Sequence, residues 1–147
     1  MNGDSPIKYI VVCNCGGEAK AVAFIDDRRP VGGSLSVRGI GEEDTAALFT
    51  VADGRHHGKH YRQAAKSWAE HAVTETTWAD GHSTWIVRCV ACPQQAQLSD
   101  PKNLVPIADQ LAARIDEWPL VPSPGESQPR RMIPLGVLCR MVAHFKW

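Results

Sequence analysis

Two close cysteine pairs, Cys13-Asn14-Cys15-Gly16 and Cys89-Val90-Ala91-Cys92, constrain this chain more than any other feature of it. Zinc favours four ligands at tetrahedral corners, and a tight turn bearing two thiolates supplies half of such a set. Each pair ends a run with strand character, Ile7 to Val12 for the first and Ser83 to Arg88 for the second. Each is also followed by a run that can return as a strand, Ala19 to Ile25 and Ala96 to Leu98. Gly16-Gly17 gives the tighter C-x-C turn its backbone freedom. The pattern predicts one structural Zn2+ site built from Cys13, Cys15, Cys89 and Cys92. Four thiolates close the coordination sphere and leave no position for water or substrate. Cys15 and Cys89 stand 74 positions apart. Loop-closure entropy grows only logarithmically with length, and structural zinc supplies on the order of 10–16 kcal/mol of apparent free energy. The long separation is therefore no obstacle.

Three other readings of the cysteines compete. Ordinary buried thiols do not explain two close pairs in one small chain. A redox C-x-x-C needs its first cysteine at a helix N-terminus, and Pro93-Gln94-Gln95-Ala96 does not read as an opening helix. Disulfides require an oxidising compartment. Met1 to Pro6 has no basic run followed by an apolar core, and no stretch approaches the ~20 apolar residues that span a bilayer. The chain is expected in the cytoplasm, with no membrane partner, where spaced cysteines read as metal ligands. Cys139, beside Leu138 and Val142, reads as a small core residue.

The rest of the chain predicts an α+β fold, a zinc-stapled antiparallel β-ribbon sheet packed against two or three helices. Its 147 residues suit a single zinc-ribbon domain over 1–147. Asp26 to Pro30 reads as a polar turn, Gly32-Gly33 as a break and Leu35 to Arg38 as a short strand. Tyr61, Ala65, Trp68 and Ala72 form an apolar stripe, which predicts a helix over 59–73. Thr74 to Gly81 reads as a loop or the start of a hairpin. Leu104, Ile107, Leu111, Ile115 and Trp118 mark the buried face of a helix running to about Trp118, with Asp100 or Asn103 as its cap. Residues 119–134 hold five prolines and read as an extended proline-rich arm. A helix over 135–145 packs through Leu138, Met141, Val142 and Phe145. On this plan, residues from about 26 to 82 are a long insertion between the two halves of the ribbon.

Charge limits function. Lys plus Arg equals Asp plus Glu at 16 each, so the global basic surplus of a phosphate-neutralising protein is missing. A local surface remains open, because no acidic residue occurs from Gly54 to Ala69. If that segment is helical, Arg55, Lys59, Arg62 and Lys66 present a basic face with Tyr61 nearby for stacking. The competing reading is a solvated helix face. His56, His57 and His60 invite a second metal, but Gly58 interrupts them and no glutamate follows His56, so the zincin pattern fails. Asp26-Asp27 and Glu42-Glu43-Asp44 can hold a divalent cation in principle, although turn and helix-start acidity explains them more simply.

The cysteine pair ahead of Leu104-Val105-Pro106-Ile107-Ala108-Asp109-Gln110-Leu111-Ala112, and the terminal apolar run Ile133 to Val142, resemble small zinc-ribbon proteins of actinobacteria and their phages. Cys13-Asn14-Cys15-Gly16 fits the same plan. The resemblance covers roughly the first 25 and last 60 residues, with 40 to 82 resembling an insertion. It implies a fold and a phage origin, with host cytoplasm or a virion as the location, and no activity. Neutral charge, five tryptophans and the proline-rich arm favour a non-enzymatic module with a protein partner. The alternative is a nucleic-acid-binding ribbon using residues 55–66. An enzyme with no visible site stands third.

Overall fold

The computed structural model describes residues 6–15, 20–39, 72–89, 93–100, 102–121 and 129–145. Eight strands and two α-helices appear among them: β1 (Ile7–Cys13), β2 (Lys20–Asp27), β3 (Leu35–Arg38), β4 (Val73–Thr77), β5 (Ser83–Arg88), β6 (Gln95–Ser99), α1 (Leu104–Ala113), β7 (Leu120–Val121), β8 (Arg130–Pro134) and α2 (Leu135–His144). The strands form two sheets, one of order β3-β2-β1-β8-β7 and one of order β4-β5-β6. The class is α+β.

The larger sheet corrects one expectation. It is mixed, because β8 runs parallel to β1, pairing Tyr9 with Arg131 and Val12 with Pro134. The proline-rich segment is thus extended, as its composition predicts, but its ends are strands of the sheet. Pro129 and Pro134 bracket Arg130 to Ile133, which keep every backbone donor a ladder needs. The small sheet is antiparallel throughout.

β1 is central and buried on both faces: Tyr9, Ile10, Val11, Val12 and Cys13 are each less than 5% exposed. Strand alternation sorts them. Tyr9, Val11 and Cys13 face the main core, together with Ala23, Ile25 and Ile133 from the neighbouring strands. Trp85 and Val87 of β5, with Ala96 and Leu98 of β6, supply the opposite wall of that core. Leu104, Ile107, Ala108 and Leu111 of α1 and Leu135, Leu138 and Met141 of α2 complete it.

The connections carry their own chemistry. β2 turns into β3 through a 3-10 turn at Arg29–Val31, where Gly32 takes φ 84°. A Cβ on Gly33 would lie 2.7 Å from Arg28 Cβ, so this turn requires glycine twice. β4 and β5 form the hairpin that residues 74–81 suggested. Trp78 N donates to His82 O at 2.9 Å, and Trp78 Nε1 donates to Thr84 Oγ1 at 2.8 Å. The Asp80 carboxylate contacts His82 Nδ1, and the His82 ring stacks on Trp78.

α2 follows its expected span closely, while two other helix outlines change. Val73 opens β4, so the helix expected over 59–73 cannot reach its last residue; residues 59–71 lie outside the described residues. α1 stops at Ala113 and passes through a 3-10 turn at Ile115–Glu117. Trp118 is extended (φ −100°, ψ 116°) because the following Pro119 clashes with the helical conformation. Trp118 remains buried, and its Nε1 donates to Leu111 O at 3.1 Å near the open C-terminal turn of α1. Asn103 precedes α1 without capping it through its side chain. Its Oδ1 accepts from Ser99 N at 2.7 Å and its Nδ2 donates to Gln97 O at 2.9 Å, so the amide locks the end of β6 instead.

Candidate metal centre

Strand parity builds the site. On β1 the inward row is Tyr9, Val11, Cys13; on β5 and just beyond it the row is Trp85, Val87, Cys89. In each case the cysteine is the next residue on the core face, two positions along. Because β1 and β5 belong to opposed sheets, the two rows bring Cys13 and Cys89 together where the sheets meet. A bulge lies beside them: Val11 pairs with Ala23 and Val12 with Ala21, leaving Val22 without a partner position. Bulges commonly re-aim side chains next to sites, and this one adjoins Cys13.

The sulfur atoms of Cys13, Cys15 and Cys89 all lie within 4.8 Å of one another. Cys15 Sγ and Cys89 Sγ are 3.5 Å apart. Zn–S bonds of about 2.3 Å at the tetrahedral angle put sulfurs ~3.8 Å apart, so this spacing fits a metal with little adjustment. Three close cysteines can therefore hold a metal ion here. Cys92, the fourth expected ligand, lies outside the described residues. Cys13 and Cys89 are buried and Cys15 is half-buried.

Sequence reasoning overlooked the surroundings of these sulfurs. Cys89 N donates to Gln94 O at 3.2 Å and closes the second turn, while Cys13 Sγ lies 3.8 Å from Gln94 Oε1. An open pocket of about 240 Å³ adjoins the cluster, lined by Asn14, Cys15, Gln94 and the start of α2 at Leu135 and Gly136. The parallel pairing of Val12 with Pro134 places α2 there. Gln94 could have been suspected from its position two residues after Cys92. The approach of α2 could not, because it depends on β8. Cys139 is half-buried against the core, and its Sγ contacts Gln95 O at 3.2 Å. Among the described residues it is not part of the sulfur cluster.

The opposite end of β1 holds ions. Asp26 and Asp27 are the last residues of β2, not turn residues, and both are buried. Asp26 pairs with Arg130 at 2.8 Å, and Arg130 Nη1 also donates to Tyr9 O at 3.1 Å. The Arg130 guanidinium lies 3.9 Å from the centre of the Phe24 ring. Asp27 accepts from Arg29 Nε at 2.9 Å and Nη2 at 2.8 Å, and Arg29 Nη1 reaches Asp109 of α1 at 2.9 Å. Burial pushes the Asp27 carboxyl up, but the side-chain and backbone hydrogen bonds from Arg29 outweigh it and hold the group below the usual range. Two arginines thus occupy the carboxylates that a cation would need.

Tyr9 Oη has no hydrogen-bond partner among the described residues. Burial first, and the Asp27 charge second, push its pKa up to about 12.

The remaining candidates lie elsewhere. Arg55, His56, His57, Lys59, His60, Tyr61, Arg62 and Lys66 fall outside the described residues, as do Glu42, Glu43 and Asp44. No helix among the described residues is long and apolar enough to cross a membrane.

No family model matches the chain, and no solved structure matches it. Two uncharacterised proteins of Mycobacterium tuberculosis, from different strains, are each 50% identical to it over 34 residues. The match covers 22% of this chain and 28% of each relative, so the chain spans about a quarter of the length of the curated relatives it matches. Mycobacteria are actinobacteria, and this short match loosely supports the actinobacterial likeness.

Proposed function

We propose that the chain is a non-enzymatic, zinc-stapled interaction module. In this reading Cys13, Cys15, Cys89 and Cys92 hold one structural Zn2+ that ties β1 to β5 and so joins the two sheets. The observation that carries the reading is the convergence of Cys13 and Cys15 with Cys89, which lies 74 positions beyond Cys15. An all-sulfur set is the donor chemistry of structural zinc, and a closed sphere has no open position for catalysis. Protein contact suits a chain of zero net charge with apolar side chains at its surface, Val31, Trp78 and Leu120 each being about half exposed.

Zinc content tests the ligand set. Reduced wild-type protein should carry one equivalent, and so should Cys139→Ser. Cys13→Ser, Cys15→Ser, Cys89→Ser and Cys92→Ser should each lose it. Full zinc in Cys92→Ser would remove the fourth ligand and, with it, the argument against an open catalytic position. Oligonucleotide binding that needs Arg55, Lys59, Arg62 and Lys66 would replace the protein partner by nucleic acid.

A further inference from the structure

α1 and α2 pack against each other, and an open groove of about 260 Å³ lies between Gln110 and Arg114 on one side and Val137, Arg140, Met141, His144 and Phe145 on the other. Val137, Met141 and Phe145 form its apolar part, while Arg114 and Arg140 bring the charge and His144 adds a polar ring. Among the described residues, no carboxylate lies within ion-pairing distance of Arg140 or His144. Arg114 is held by Glu117 through bonds of 2.9 and 2.8 Å, and Glu117 is more than half exposed. Exposed pairs of this kind contribute little and exchange partners readily. The groove therefore presents apolar surface beside cationic groups that a carboxylate can reach.

We infer that this groove docks a short acidic segment of a partner protein, one that bears one or two large apolar side chains. The inference deepens the interaction-module reading and rests on it. Charge complementarity selects acidic side chains for Arg140 and Arg114. The apolar part selects a leucine, methionine or phenylalanine between those acids. Volume selects a peptide over a small organic ligand, since small-molecule sites run to roughly 300–1,000 Å³ and enclose their occupant. A peptide laid along two helices needs only side-chain pockets, as in helix-in-groove recognition. Nucleic acid fits less well, because phosphates would find few cations here.

The test uses the full-length, zinc-analysed protein and fluorescence anisotropy. The probe is a labelled peptide of about twelve residues alternating glutamate and leucine pairs, compared with its lysine-for-glutamate counterpart and a single-stranded oligonucleotide. The acidic peptide should bind in the micromolar range, more weakly at higher salt, and the lysine peptide should not. Arg140→Glu and Val137→Glu should each weaken binding by about tenfold or more with zinc content unchanged. Lys102→Glu, just before the N-terminus of α1 and so at the other end of that helix from Arg114, should leave it unaltered. Equal affinity in Arg140→Glu and Lys102→Glu, oligonucleotide binding that Arg140→Glu abolishes, or no peptide binding by folded, zinc-loaded protein would each overturn the assignment. Because zinc is measured separately, those results would leave the staple standing, whereas folded protein without zinc would remove the staple and not the groove.

Discussion

β1 joins the rest of the molecule differently at its two ends. At Cys13 it meets β5 of the other sheet through sulfur. At Tyr9 it lies within its own sheet against β2 and β8, where Asp26 and Arg130 pair beside it and Arg29 links Asp27 to α1. Both ends bury polar groups, and burial of such groups is favourable only when each finds its partners. A metal satisfies several thiolates at once and adds bond energy, so the sulfur end is expected to hold the fold together. A buried ion pair roughly offsets its own desolvation, so the ionic end is expected to fix β8 in place with little net stabilisation. On the proposed zinc staple, sulfur is expected to stabilise and the ions to specify.

The largest expected effect is at the sulfur end. Cys89→Ser should abolish the cooperative thermal transition seen by circular dichroism. Structural zinc contributes about 10–16 kcal/mol, and a whole domain is stable by only about 5–15 kcal/mol. A variant that still melts within a few degrees of wild type would erase the distinction between the two ends.

At the ionic end the effects should be smaller and should depend on which partner is removed. Arg130→Ala removes the ion-pair partner of the buried Asp26 and should cost about 3–5 kcal/mol in urea unfolding. Replacing both, with Arg130→Met and Asp26→Leu, should restore most of that loss. A double variant as unstable as Arg130→Ala would make the ion pair a source of stability in its own right.

Tyr9 sharpens the comparison through pH. Its folded pKa of about 12 exceeds the ordinary value of 10.0, so the unfolded chain loses the phenolic proton first as pH rises. The contribution is complete below pH ~10 and is lost as pH climbs towards 12, by about 3 kcal/mol in all. Tyr9→Phe should therefore flatten the fall in stability between those values. Asp27 works in the opposite direction, since a lowered carboxyl contributes above its unfolded pKa and loses that contribution as pH falls. An unchanged alkaline profile in Tyr9→Phe would show that another group governs it.

The two ends also differed in how far the sequence revealed them. Close cysteine pairs at strand ends are local patterns, so Cys13, Cys15 and Cys89 were legible as a cluster before any fold was known. The alternation of Trp85 and Val87 with Thr84 and Ile86 along β5 is equally local, and in the fold it puts Cys89 on the core face. Arg130 lies 104 positions from Asp26, and nothing near either residue announces the other. Asp26 looked like a turn residue because Asp27 and Arg28 follow it, whereas pairing with β1 and β3 keeps it in a strand. The proline count of residues 119–134 signalled extended backbone correctly. It carried no information that β8 would insert beside β1, because parallel pairing is set by the distant partner and not by local composition. Asn103 reads as a helix cap by position, yet the nearby end of β6 offers its amide a donor and an acceptor together.

Zinc K-edge X-ray absorption on the purified, reduced protein tests the central claim most directly, because it counts the sulfur ligands. The zinc-staple account predicts one zinc per chain with four sulfurs at about 2.3 Å and no light-atom ligand. Folded, reduced protein holding less than about a tenth of an equivalent of metal would contradict the staple, and so would a first shell containing oxygen or nitrogen.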